Sequence, residues 1–257
     1  APHGIGALNR AAGGDAIVLA PELIPLLQRA LAFCLWSDSS WSPLGGHVYA
    51  QWERLEGGVE VDPVRFDQAL RGAACELVRI DIDPEGGDTR VALAAGSRVD
   101  LRAMAQGFAV DRAVETLTAA GASNLWVETP RVVRGLGGGA AGRGWYFEPP
   151  TFPGQQRSIE AVYLRDRSVA WVSTNDPTPR GDMRTGSLAS GTVAVLVSTP
   201  GAADAQAVAA SLFVLSHYVG QRRLGQLDPK PAVLWMLGEG DGPPLESSYQ
   251  WTKISRP

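Results

Sequence analysis

"LRAMAQGFAVDRAVETL", residues 101–117, is the stretch on which the reading of the chain turns. Val110, Ala113, Val114 and Leu117 fall at i, i+3, i+4 and i+7, the spacing of an amphipathic helix, and Gly121 follows as a stop signal. Ahead of them, Leu101 reads as the end of a strand and Gly107 as a tight turn into the helix, with Gln106 at its mouth. A helix start presents unpaired N–H groups and partial positive charge, so it suits an anion, and a cationic side chain would add to that. Gln106 offers hydrogen bonds without the charge.

Outward from this stretch, apolar periodicity predicts a core-facing helix over 21–36, through Leu23, Leu26, Leu27, Ala30, Leu31 and Cys34, with Pro21 and Pro25 in or near its first turn. A shorter helix is expected over 63–75. "ELVRIDID" (76–83) alternates Val78, Ile80 and Ile82 on one face, and "PEGGD" turns it into "TRVALA" (89–94), a hairpin. "NLWVE" and "RVVRGL" (124–136) read as strands. "GLGGGAAGRG" (135–144) reads as a loop and as a candidate border between two halves of a single domain spanning 1–257. Its G-x-G-x-x-A match at Gly135, Gly137 and Ala140 opens no helix, so it is no dinucleotide fingerprint. Further strands are expected near 158–163, 168–173 and 191–198, helices over 202–215 and 220–227, a strand "AVLWML" (232–237) and a terminal strand in "YQWTKIS" (249–255). Hairpins mixed with separated helices predict an α+β fold with mixed or antiparallel sheets and packed helices.

The chain has 257 residues, 45% hydrophobic and 19% charged, enough to bury a core without a staple. A net charge of −4 and the absence of any basic run leave a nucleic-acid surface no electrostatic footprint. The longest apolar run, "TVAVLV" (192–197), falls far short of a membrane span. The opening at Ala1, without methionine, is read as processing with a targeting segment removed. Cys34 and Cys75 are too far apart for a metal knuckle; their apolar neighbours favour buried free thiols over the alternative, a single disulfide.

Of residues that could carry chemistry, His3, His47 and His217 stand isolated and read as surface or capping residues. Asp81 and Asp83 share a strand face beside a turn, the place of a solvated pair. Asp204 sits at the start of the helix after Gly201, where the dipole and the first-turn N–H groups favour a carboxylate in any case. As a Mg²⁺ ligand it would need oxygen partners, and Val208, one turn on, offers none.

These segments, in this order, resemble the ApbE family of flavin transferases, which use Mg²⁺ to move FMN from FAD onto a threonine or serine of a target protein. "IGALNRAA" (5–12) is similar to the family's Leu-Asn-Arg segment and "SDSSWSP" (37–43) to its Thr-Asp-Gly-Ala-Phe-Asp-Pro. "VDLRAMAQGFAVDRA" (99–113) is similar to Leu-Asp-Leu-Gly-Gly-Ile-Ala-Lys-Gly-Tyr-Ala-Val-Asp-Arg-Ala, the most specific piece. "DMRTG" (182–186) resembles Asp-Pro-Arg-Thr-Gly, and "ADAQAVA" (203–209) resembles Ala-Asp-Ala-Leu-Ala-Thr-Ala. The resemblance implies two subdomains flanking a cleft, and a chain that starts inside the pattern, without the family's N-terminal strand. It also implies flavin contacts at Gln106, Gly107, Asp111, Arg184 and Thr185, and a metal contact at Asp204.

Departures cluster at the chemical positions. Gln106 replaces the lysine, Arg102-Ala103 a Gly-Gly, Pro130-Arg131-Val132 a Gly-Gly-Asp, Pro179 a histidine and Val208 the metal threonine. In "SVAWVSTND" (168–176) the bulky Trp171 is expected to intrude at a Ser-Gly-Asp position. Phosphoryl-linked transfer depends on positioning and on neutralising phosphate charge, and both are reduced here. The expectation is therefore a catalytically degenerate ApbE-like protein with no bound cofactor. It would act as a periplasmic or otherwise extracytoplasmic accessory subunit with a protein partner, of the kind found in electron-transfer or photosynthetic membrane complexes. The alternative is a divergent Mg²⁺-dependent FMN transferase or flavin-binding protein that takes FAD and Mg²⁺, with Asp204, carbonyls near Ala103–Ala105 and waters completing the metal shell.

Overall fold

The computed structural model describes residues 3–82, 87–177, 180–238 and 242–251. Contacts divide the chain into two units, Ala1–Leu101 with Thr178–Leu188, and Arg102–Pro177 with Ala189–Pro257. The 135–144 segment, read above as a border, lies within the second unit.

In the first unit, α1 (Ile5–Arg10) precedes β1 (Ile17–Val18) and α2 (Leu23–Trp36). The α2 core stripe is Ile24, Leu26, Leu27, Ala30, Phe33 and Cys34, rotated slightly from the predicted one: Leu23 and Leu31 are only half-buried. Next comes α3 (Gly46–Glu56), which the sequence reading missed; it buries Val48, Tyr49 and Trp52. α4 (Pro63–Arg71) starts with Pro63 in its first turn behind Asp62, whose carboxylate accepts from Val64 N at 2.9 Å. It ends at Arg71, earlier than predicted. β2 (Val78–Asp81) and β3 (Arg90–Leu93) pair antiparallel as the expected hairpin, and β1 joins β3 to give the order β1-β3-β2. Ile82 does not continue the apolar face; it is exposed. Asp81 pairs with Arg79 at 3.0 Å, while Asp83 lies outside the described residues. Trp52, Val48, Tyr49, Ala69, Ala73 and Met183 form one core cluster, which ties the 180–188 segment into this unit.

Cys34 and Cys75 form a disulfide. The free-thiol expectation is thereby corrected: α2 and the short turn at Cys75–Leu77 bring the Cα atoms to 6.2 Å, within bridging range, a proximity that the flanking residues do not reveal.

The second unit opens with α5 (Arg102–Ala119), a single helix through the stretch quoted first. Gly107 is not a turn but a buried helical position. A Cβ there would lie 2.4 Å from the Ala202 carbonyl oxygen, so glycine serves close helix packing rather than chain reversal. The buried stripe is Met104, Gly107, Val110 and Val114, whereas Leu117 is exposed. β4 (Leu125–Thr129) and β5 (Val132–Leu136) form a hairpin, β6 (Trp145–Phe147) pairs with β7 (Val162–Leu164), and β8 (Arg167–Ser173) and β9 (Thr192–Thr199) run antiparallel. After α6 (Ala202–Val214) and α7 (His217–Leu224), β10 (Ala232–Leu237) and β11 (Leu245–Tyr249) complete a six-stranded sheet of order β11-β10-β9-β8-β5-β4, antiparallel throughout. The last strand lies earlier than predicted, and residues 252–255 of the expected one lie outside the described residues.

α6 is buried almost all round, as a central helix must be, and packs against α5, β8 and β9. Side chains of the sheet that include Val133, Val169, Leu196 and Leu234 form a core with Phe147, Phe152, Ile159, Val162 and Leu164. Trp171 belongs to this core, 9% exposed with its ring 5.9 Å from that of Phe147, so it does not intrude on a site as expected.

Candidate functional site

The residues singled out in the sequence fall into two groups, one in each unit. In the second unit, the joint between α5 and α6 holds most of them. Asp111, one turn beyond Gly107 on α5, aims its carboxylate at the start of α6: Oδ1 accepts from Ala202 N and Oδ2 from Ala203 N, both at 2.9 Å. Two of the orphan donors of α6 are thus satisfied from within the chain, and the carboxylate complements the helix dipole. Arg134, on β5, pairs with the same carboxylate, and both side chains are mostly buried. Gly107 N donates to Gln206 Oε1 at 2.6 Å, and the Gln206 side chain is itself buried. Gln106 is held from β4, its Oε1 accepting from the Thr129 hydroxyl at 3.0 Å.

Asp204 lies in the first turn of α6 and Val208 one turn further along, at 1% exposure. Arg131, in the β4–β5 turn, forms an ion pair with buried Asp176 at 2.6 Å, and Asp176 also accepts from Ser173 N. The positive charges of Arg131 and Arg134 are therefore matched by carboxylates of this same unit. Arg112 is turned outward and pairs with Glu115 at 2.6 Å.

In the first unit, the 182–186 turn carries Arg184 and Thr185. The Arg184 guanidinium is gripped by two carboxylates, Asp182 in its own turn and Asp38 at 3.0 Å. Hydrogen bonding to Asp182, with the charges of Asp182 and Asp38, raises its pKa further above the ordinary arginine value despite partial burial. Thr185 Oγ1 accepts from Ser187 N at 3.2 Å, and Trp52 Nε1 donates to Gly186 O at 2.9 Å, so the turn is fixed from both sides. Pro179 lies outside the described residues.

Sequence reasoning missed several members of these groups. Gln206 carries a signal in hindsight, a polar residue within an otherwise apolar, small-residue helix, which calls for a buried partner. Asn9 turns out to be a backbone clamp, accepting from Val99 N at 2.7 Å and donating to Val99 O at 2.9 Å. Arg134 and Thr129 carry no local signal, because strand pairing alone places them. His217 contacts Ser247 Oγ at 2.8 Å and packs edge-on against Trp235, a structural role.

A family model described as the ApbE family matches residues 3–235. The chain belongs to the ApbE family. Over 120 residues, 45% of its length, it is 32% identical to the FAD:protein FMN transferase of Treponema pallidum (strain Nichols), a match that spans 33% of that relative. Among solved structures it is similar to the apo flavinyl transferase ApbE of Pseudomonas stutzeri, with a TM-score of 0.82, 18% identity, and coverage of 98% of this chain and 80% of that one. The ApbE protein of Thermotoga maritima gives a TM-score of 0.81 at 20% identity, covering 98% of this chain and 84% of that one. These structural likenesses carry the α+β ApbE fold to this chain.

A Mg²⁺ ion at the Asp204 position would meet no side-chain oxygen one turn along the helix, where Val208 stands. Magnesium demands several oxygen ligands in near-octahedral geometry. Val208 supplies only methyl groups, and residues 103–105 lie in the first turn of α5. Two carboxylates stand at that helix start, Asp204 and Asp111, and Asp111 is already engaged by Ala202 N, Ala203 N and Arg134.

Proposed function

We propose that this ApbE-family chain no longer performs Mg²⁺-dependent transfer of FMN and works as an accessory or binding subunit of an extracytoplasmic assembly. The observation that carries the proposal is the buried, apolar Val208 one turn from Asp204, which takes a ligand position out of the family's metal site. The engagement of Gln106 by Thr129, with Arg131 and Arg134 already paired to carboxylates, points the same way: phosphate charge would find little to neutralise it. The Cys34–Cys75 disulfide supports an oxidising compartment, hence a periplasmic or comparable location. The family's association with exported electron-transfer proteins extends the proposal to a complex of that kind, with a protein partner.

A second reading, a divergent FMN transferase, is favoured by the retained Asp204 and by the Treponema pallidum relative. Titration of the purified protein with FAD, with and without Mg²⁺, followed by flavin fluorescence, separates the two. No saturable binding is expected. Mg²⁺-dependent binding that disappears in Asp204→Ala would overturn the accessory reading in favour of the transferase.

A further inference from the structure

We propose that the Cys34–Cys75 disulfide is the positioning element for Arg184, acting through Ser39 and Asp38. The inference concerns the first unit alone and is independent of whether flavin binds.

The argument begins with the backbone. Asp38 and Ser39 have φ values of 57° and 58°, the left-handed region in which a Cβ crowds the following carbonyl. Two such non-glycine residues in succession persist only where their surroundings over-determine them. Ser39 stands where the related motif quoted above has glycine, so the conformation that glycine adopts without strain is imposed here on a residue with a side chain.

Both halves of the cystine supply the restraint. Ser39 N donates to the Cys34 carbonyl at 2.8 Å, and Ser39 Oγ lies 3.2 Å from Cys75 Sγ, a disulfide sulfur that can only accept. Ser37 reinforces the same carbonyl, its Oγ reaching Cys34 O at 3.0 Å and Trp41 O at 3.1 Å. The disulfide is buried, with Cys34 at 0% and Cys75 at 5% exposure, so the anchor is shielded from solvent.

From this anchored turn two contacts reach the 182–186 turn, 146 residues away in sequence. Asp38 Oδ2 accepts from an Arg184 terminal nitrogen at 3.0 Å, and Ser40 O accepts from Met183 N at 3.0 Å. Without the cystine, Ser39 loses its sulfur contact and the Cys34 carbonyl loses its tether. The left-handed pair then relaxes toward ordinary φ and carries Asp38 away, leaving Arg184 with Asp182 alone.

The test is the hydrogen exchange of the Arg184 terminal Nη–H groups, one of which donates to Asp38, followed by ¹⁵N NMR on the full chain. In the Cys34→Ser/Cys75→Ser variant, with the fold verified by circular dichroism, exchange is expected to quicken several-fold, and adding Ser39→Gly is expected to restore most of the protection. Ser39→Ala, which keeps the disulfide and removes only the Oγ–Sγ contact, covers the case in which the double variant fails to fold; a smaller quickening is expected there. Unchanged exchange in the folded double variant would overturn the proposal, as would failure of Ser39→Gly to restore it. Unchanged exchange in Ser39→Ala counts against it in the same way.

Discussion

The 182–186 turn and the α5–α6 joint treat charge in opposite ways. In the turn, the Arg184 guanidinium meets two carboxylates at a half-exposed surface, where each pair is worth little. In the joint, one largely buried carboxylate, Asp111, closes a helix start and neutralises Arg134, while the contact between the helices rests on a glycine and on a buried amide. The comparison separates a fixed arrangement of surface charges from a packed polar seam. The first can be loosened without unfolding the chain; the second is part of its core.

The largest effect expected is at the seam. Gly107→Ala would force a Cβ to within 2.4 Å of the backbone at Ala202, which cannot yield as a flexible side chain would, and a loss of about 3 kcal/mol is expected. Denaturant titration measures it, and a loss below 1 kcal/mol would show that the helices can part freely. Asp111→Ala comes next. It removes the carboxylate partner of the partly exposed Arg134 and leaves two α6 donors without their acceptor, for a cost of about 2 kcal/mol by the same titration.

At the turn, Asp38→Asn is expected to cost under about 1 kcal/mol, less still at high salt, because the pair is solvent-screened. A cost equal to that of Asp111→Ala would erase the distinction between the regions. The smallest effect belongs to His47, which lies outside both and serves as a control. Burial, and then the charge of Arg98, lower its pKa from the ordinary 6.5. The unfolded chain binds this proton more readily than the folded one, so the contribution to stability is present above pH 6.5 and is lost as pH falls through the folded value. His47→Gln is expected to flatten the stability–pH curve below that point without altering either region.

Particular residues show how much was legible beforehand. The helix over 23–36, the β2–β3 and β4–β5 hairpins and α6 follow from local periodicity and turn chemistry, which is why they could be read. α3 was missed because its sequence, "GHVYAQWERLE", is half polar; it presents a narrow stripe whose burial depends on Met183, far along the chain. Gly107 was misread for a related reason. A glycine that turns the chain into a helix and one that lets two helices touch are the same letter, and only the partner, Ala202, tells them apart. Trp171 looked like an obstruction because its sequence neighbours belong to a site motif, yet strand alternation turns it toward Phe147. Asp111, Gln106 and Asp204 were legible as candidates, whereas Arg134, Thr129 and Gln206, which now engage or surround them, were not.

By itself the sequence determined the α+β class, the family, and which chemical positions differ from the family pattern, because these depend on residue type and local spacing. Tertiary structure alone decided that Cys34 meets Cys75, that Asp111 caps α6, and that Asp38 reaches across 146 residues to Arg184. Each of these is a pairing between segments with no local preference for one another. Such pairings form only when the packing of the remaining apolar surface has already brought their backbones together.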